Sequence, residues 1–249
     1  MAEPTRRPFA GLTVAIAFLT IVPVRSRGAS PLGTAAPWFP LVGAAVGACA
    51  GGVAYLAAPG LGPAVAAALA VVVVVALTGA LHLDGLADCA DGLGARGGGA
   101  ARRLEVMRDS ANGTFGTLAL GLWLVLAVTA LAGRDRGGAL DALIVAAAVG
   151  RWAALLHAAG TRPARRDGLG HGFEVSAGGL AIATAIALAI AVLVGGIGPG
   201  LASLAAAAIV AALVTAAARR GLGGRTGDTL GATIVLSEVV ILVVTLGLA

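Results

Sequence analysis

The sequence contains no lysine, only two cysteines and three histidines, and charged residues fill just 12% of its 249 positions. Each scarcity excludes something. A soluble globular chain is nearer 25% charged, so there are too few polar side chains here to cover water-exposed domains of this length. Cys49 and Cys89 stand alone, one in an apolar stretch and one in a charged segment. They make neither a CxxC metal site nor a disulfide framework, and they leave the redox compartment open. His82, His157 and His171 are too dispersed for a zinc motif such as HExxH. All basic charge is arginine, 17 residues against 12 acidic ones, for a formal net charge of +5. Apart from Arg151, these arginines sit outside the long apolar runs, with no basic helix and no interleaved aromatic residues. That distribution excludes a nucleic-acid partner and fits orientation in a bilayer and binding of anionic groups.

What remains is hydrophobic: 59% of the chain is apolar and the mean hydropathy is +0.98. Eight apolar stretches run over 9–24, 37–58, 62–80, 115–132, 138–157, 175–195, 199–217 and 229–248. A spanning helix needs about 20 residues, which makes the first stretch the poorest spanner. Arg6 and Arg7 before it mimic a signal peptide, but no convincing small-residue cleavage site precedes Pro23-Val24-Arg25, so the segment is expected to be retained. The second stretch carries Gly43, Gly47, Gly51 and Gly52, a small-residue face suited to close helix packing. Val71–Val75 lies inside a longer apolar run without turn residues and reads as helix despite its β-branching.

If stretches two to eight each cross, the segments 25–36, 81–114, 158–174 and 218–228 share one side. That side then holds twelve arginines, against Arg134 and Arg136 on the other. By the positive-inside rule the arginine-rich side is cytoplasmic. A re-entrant or interfacial first helix keeps Arg6 and Arg7 there too. The expected fold is an all-α, polytopic helical membrane bundle over 1–249, a single domain with seven spanning helices within a range of six to eight. No internal repeat is evident. Gly97-Gly98-Gly99 marks a turn that divides the large polar segment into 81–96 and 100–112.

The chemistry concentrates in 81–114. Asp84, Asp88 and Asp91 are spaced i, i+4, i+7 and share one face of a helix continuing from the third stretch. Carboxylates so arranged repel unless a cation sits between them, and Mg²⁺ prefers carboxylate oxygens, retained water and substrate phosphates. A merely solvated helix end is the plainer account, common for one or two aspartates and less apt for three at the mouth of a membrane helix. Glu105 and Asp109 form a second i, i+4 acidic pair, and Asp109 is placed to complete a metal shell from a second helix. Arg102 and Arg108 offer planar donor forks for phosphate oxygens. Ser110, Asn112 and Thr114 precede an apolar run and are read first as caps.

Two further polar islands share that side. In 221–232, glycines allow close backbone approach to a ligand, while Arg225 and Asp228 offer opposite charges; an Arg–Asp pair that stabilises a turn explains them equally well. In 162–173, Arg162, Arg165 and Arg166 are explained by topology alone, with phosphate contacts open to one or two of them. Glu238 lies inside the last stretch, where a carboxylate must face the bundle or the site, and Arg151 inside the fifth is its candidate partner.

Leu81-His82-Leu83-Asp84-Gly85-Leu86-Ala87-Asp88, Asp91-Gly92, Met107-Arg108-Asp109-Ser110, Gly113-Thr114-Phe115-Gly116 and Thr226-Gly227-Asp228-Thr229-Leu230-Gly231-Ala232 together resemble the adenosylcobinamide-GDP ribazoletransferase (cobalamin 5'-phosphate synthase) family, over essentially the whole chain. The resemblance implies a Mg²⁺-dependent enzyme of the bacterial inner membrane with its site facing the cytoplasm. It implies transfer of the adenosylcobinamide phosphate group from adenosylcobinamide-GDP to α-ribazole or α-ribazole 5'-phosphate, releasing GMP. On that reading Asp84, Asp88, Asp91 and Asp109 hold metal and act in catalysis, while Arg96, Arg108, Arg225 and Asp228 hold the nucleotide substrate. Membrane lipid surrounds the protein, and a homo-oligomer or an association with other corrinoid-pathway enzymes is left open. Asp88-Cys89-Ala90-Asp91-Gly92 through Ala95-Arg96 is also similar to the opening of the CDP-alcohol phosphotransferase motif, with Asp109 at its third aspartate. Glu105 stands where that motif has glycine, and Gly113 where it has its fourth aspartate. Two other classes compete. A transporter would also carry Glu238 and Arg151, but its charged centre belongs near the midplane. An assembly subunit would use the glycine face and need no convergent carboxylates.

Overall fold

The computed structural model describes residues 9–24, 32–109, 111–165 and 172–248. Their architecture is all-α: α1 (Ala10–Leu19), a 3-10 segment Leu32–Trp38 leading into α2 (Phe39–Leu61), α3 (Pro63–Thr78), α4 (Leu81–Gly94), α5 (Gly99–Val106), α6 (Thr114–Ala132), α7 (Arg136–Ala159), α8 (Ala177–Gly195), α9 (Ile197–Leu222) and α10 (Gly227–Leu246). Among the described residues the only β pairing is one isolated bridge between Pro163 and Arg225.

Six segments are long and apolar enough to cross a bilayer: Leu32–Leu61, α6, α7, α8, α9 and α10. α3 and α4 qualify only as a pair bent by 91°, which raises the count to seven. Six or seven candidate crossings fall within the expected range of six to eight; the expected third crossing, 62–80, is the 16-residue α3, which does not qualify without α4. α1 has 10 residues, about 15 Å of helix, roughly half a hydrocarbon core. It is too short to cross, as its sequence suggested. Its end is tied to the end of α3 by Ile21 N–H donating to Leu77 O at 2.9 Å. Phe18, Phe39 and Phe173 stack beside it with centroids 5.3–5.8 Å apart.

α7 and α10 form the centre. In the apolar window of each, 72% is buried within the protein, against 17% for α8, which faces outward. α2 makes the most extensive helix–helix interface, against α7, through the glycine face read from sequence. A Cβ on Gly43 would lie 2.3 Å from Ala147 O, and one on Gly47 2.3 Å from Leu143 O. Gly51 packs on Leu140 in the same row, whereas Gly52 has nothing near it and is no part of the ridge. Backbones approaching this closely gain dispersion contacts that a bilayer does not otherwise supply.

Charge inside the bundle is paired. Arg151 of α7 and Glu238 of α10 form a buried ion pair, and Arg151 also donates to Ala147 O at 3.1 Å. An isolated charge there would carry a desolvation cost of several kcal/mol, so the partner inferred from sequence is the one the fold provides. His157 bridges α7 to its neighbours, with Nδ1 2.9 Å from Thr215 Oγ1 on α9 and Nε2 2.9 Å from Thr229 Oγ1 on α10.

Candidate functional site

The site is built on α4, the polar half of the bent pair, which lies outside the six unbroken crossings. Gly79 and Ala80 both adopt the left-handed conformation, with φ of 61° and 60°, and two such residues in succession turn the chain away from α3. For Ala80 this conformation costs about 1–2 kcal/mol, a strain held at the root of the acidic helix. α4 then starts with Asp84 N–H donating to Ala80 O at 2.9 Å.

α4 packs against the first turns of α10, and the approach depends on Gly85. A Cβ there would lie 2.6 Å from Asp228 O. The missing side chain lets the two backbones close, and Asp228 joins the neighbourhood of the α4 carboxylates. The Asp88 carboxyl is pushed up to about 7, first by burial and then by the charges of Asp84, Asp228 and Asp91; Arg165 pulls it the other way. Three carboxylates and one guanidinium, drawn from three chain segments, therefore act on Asp88. Arg165 comes from the loop after α7, where its Nη2 donates to Leu104 O of α5 at 3.0 Å.

Asp91 has a further task. Its Oδ2 accepts the Gly113 N–H at 2.7 Å and its Oδ1 accepts the Gly116 N–H at 2.9 Å. These are free donors at the start of α6, which has no capping side chain of its own. The cap expected from Ser110, Asn112 or Thr114 is thus supplied by Asp91. Thr114 is the first residue of the helix, after the N-cap Gly113, and Ser110 lies outside the described residues. Gly113 and Gly116 make room for the carboxylate: a Cβ on either would stand 2.5 or 2.4 Å from an Asp91 oxygen.

The other residues singled out in the sequence are dispersed. Asp109 is exposed, its Oδ1 accepts the Ala111 N–H at 3.1 Å, and its charge acts on Arg102 and not among those acting on Asp88. Arg96 and Arg108 are exposed on the same end of the bundle. Arg225 is buried, 4% exposed, and donates to the carbonyls of Ala158, Thr161 and Phe173. Those bonds fasten the α7–α8 loop to the start of α10. Arg102 pairs with Glu105 at 2.8 Å, exposed. Arg166 and His171 lie outside the described residues. Sequence reasoning left Arg165 unassigned among topology arginines and grouped Asp228 with the nucleotide contacts, not with the carboxylates. No local pattern marks either role, because both depend on how α4, α10 and the loop cross.

Beside α4 is an open cavity of about 360 Å³, lined by Asp84 and Asn112 at its polar edge and by Leu83, Ala87, Leu120 and Trp123. A larger one, about 490 Å³, lies at the opposite end of the bundle around Arg134, Asp141 and Ser203, away from the α4 carboxylates. The smaller one is the cavity that borders the α4 carboxylates, and convergent ionisable groups mark a candidate reaction centre more than volume does. Among the described residues no group of three or more His, Cys, Asp or Glu is closed up to hold a metal ion. The donors present are nevertheless all carboxylate oxygen, the chemistry of a hard divalent cation.

Comparison with known proteins identifies the family. Residues 11–246 match the family model described as Cobalamin-5-phosphate synthase. Among curated relatives, the adenosylcobinamide-GDP ribazoletransferase of Geotalea daltonii is 37% identical over 236 residues, 92% of this chain and 94% of the relative. That of Bradyrhizobium diazoefficiens is 39% identical over 249 residues, 97% and 95% of the two chains. That of Klebsiella pneumoniae strain 342 is 41% identical over 218 residues, 82% and 84%. No solved structure matches the chain. An all-helical membrane bundle, an aspartate-bearing helix turned across its end and matches of this extent lead to one conclusion: the chain belongs to the cobalamin-5-phosphate synthase family.

Proposed function

We propose that this protein transfers the adenosylcobinamide phosphate group from adenosylcobinamide-GDP to the 3'-hydroxyl of α-ribazole or α-ribazole 5'-phosphate, with release of GMP. The named activity of its relatives supports the reaction class. The observation that carries the site is the close packing of α4, with Asp84, Asp88 and Asp91, on the start of α10 at Asp228 through Gly85, a local excess of negative charge that a divalent cation relieves. Asp84, Asp88 and Asp228 would hold Mg²⁺, while Asp91 keeps the α6 cap. A bound Mg²⁺ supplies charge neutralisation at the diphosphate oxygens.

The chain's own groups do the rest. Arg96 and Arg108, both exposed, would neutralise non-bridging oxygens as negative charge builds. A new P–O bond forms between the ribazole hydroxyl and the cobinamide-linked phosphorus as the P–O bond to GMP breaks. The hydroxyl proton passes to a carboxylate of the cluster. The apolar wall of Leu83, Ala87, Leu120 and Trp123 keeps bulk water from one side of the centre. The arginine-rich loops share this end, which supports a multi-pass protein of the bacterial inner membrane with its site facing the cytoplasm.

Asp88→Asn tests the reading in purified protein supplied with Mg²⁺ and both substrates. GMP release should fall by about 100-fold or more while the protein remains monodisperse. Release within about 3-fold of wild type, a change of under 1 kcal/mol in the barrier, would remove Asp88 from the mechanism.

A further inference from the structure

Arg165 follows a stretch of backbone that is bonded to the start of α10. Ala164 N–H donates to Arg225 O and Arg225 N–H donates to Arg162 O, both at 2.8 Å, around the Pro163–Arg225 bridge. The Arg225 guanidinium holds the carbonyls at both ends of the same loop, Thr161 and Phe173. Gly224 lets the strands close, since a Cβ there would lie 2.2 Å from Arg162 O. Arg165 thus leaves the bridge beside the first turn of α10, where Asp228 lies.

Its hydrogen bonding is incomplete. An arginine carries five N–H donors, and among the described residues Leu104 O is the one acceptor that Arg165 reaches. Its Nε is buried and has no partner among the described residues. A buried donor left so is unfavourable, and natural structures keep such orphans where a ligand or water completes them. The charge of Arg165 acts on Asp88 and Asp228. With Nη2 anchored on Leu104 and Nε unpartnered, the guanidinium keeps N–H donors in the planar geometry suited to phosphate oxygens.

We propose that Arg165 binds the diphosphate of the nucleotide substrate, its guanidinium taking non-bridging oxygens across from the Asp84, Asp88 and Asp228 carboxylates. Without substrate it partly offsets the repulsion among those carboxylates. With substrate it fixes the diphosphate against them. This assignment rests on the transfer reaction proposed above.

The test uses full-length protein carrying Arg165→Lys or Arg165→Gln, with Arg162→Gln as a control from the exposed part of the same loop. Two readouts are taken: steady-state constants for each substrate, and protection against thermal unfolding by GDP with Mg²⁺. Lysine keeps the charge and loses the fork. Both Arg165 variants should raise KM for adenosylcobinamide-GDP between about 10-fold and about 100-fold, leave KM for α-ribazole unchanged, and lose protection by GDP. Arg162→Gln should behave as wild type. Full retention of GDP protection in Arg165→Gln overturns the assignment. So does an equal rise in both KM values with a lowered unfolding temperature, which is the signature of a purely structural role. If wild type catalyses no transfer yet shows GDP protection that depends on Arg165, the reaction fails while the binding assignment stands.

Discussion

Removing the Asp91 carboxylate should loosen the start of α6. Asp91→Ala deletes the acceptor of two backbone donors, Gly113 N–H at 2.7 Å and Gly116 N–H at 2.9 Å. A hydrogen bond to a charged group contributes about 1.5–3 kcal/mol and an N-cap typically about 1 kcal/mol. Asp91 is only partly buried, so solvent competes and a combined loss of about 2 kcal/mol is the reasonable figure. For a chain of this length that lowers the unfolding temperature by about 4–8 °C. Tryptophan fluorescence of detergent-purified, Mg²⁺-free protein reads it. Gly116→Ala should cause a similar drop by another route, because its Cβ would stand 2.4 Å from an Asp91 oxygen. The double variant should be little worse than either single one, as for two changes breaking one interaction. The sign is diagnostic. Were Asp91 chiefly a metal ligand, deleting it from a metal-free acidic cluster would relieve repulsion and raise the unfolding temperature. A rise, or no change, refutes the capping role.

Three other outcomes follow from the same geometry. Glu238→Ala should destabilise the protein by about 3–5 kcal/mol, because it leaves buried Arg151 unpaired; Arg151→Met with Glu238→Leu should recover most of that loss in the same unfolding assay. Gly47→Val should cost about 1–3 kcal/mol or prevent folding, since its Cβ would meet Leu143 O at 2.3 Å, whereas Gly52→Val, with open space around it, should leave thermal stability near wild type. Asp88 is pushed up to about 7 in the folded protein, above its ordinary range near 4 when unfolded. The folded state therefore holds the proton more tightly, and metal-free stability should fall as pH rises from about 4 to about 7 and then level off. A titration of unfolding temperature with pH should show that slope in wild type and a weaker one in Asp88→Asn.

What could be read from the sequence was whatever a single helix declares. Gly43, Gly47 and Gly51 repeat every fourth residue, so their shared face is visible before any partner is known. Gly52 breaks that interval and falls on another face. Arg151 and Glu238 announce each other because a lone charge in an apolar run needs an opposite one, and few candidates exist. The crossings were visible for the same reason, except the bend at Gly79 and Ala80, where alanine gives no sign of a left-handed turn. Asp84, Asp88 and Asp91 shared a face on paper, but what distinguishes them is tertiary. Asp91 turns to the start of α6 because Gly113 and Gly116 leave room there. Asp228 enters the cluster because Gly85 lets α10 close on α4. Arg165 arrives because a backbone bridge to Arg225 carries it in. Each depends on segments far apart in the chain, which periodicity and composition cannot bring together.

The proposed transfer joins an activated corrinoid to a ribazole at the acidic end of the bundle. Its most direct test incubates the purified protein with adenosylcobinamide-GDP, α-ribazole and Mg²⁺, and follows both products by chromatography. Adenosylcobalamin and GMP should form in equal amounts, with formation lost on chelation of the metal and reduced by about 100-fold or more in Asp88→Asn. GMP formed without a corrinoid product, or equal products that persist unchanged in Asp88→Asn, would contradict it.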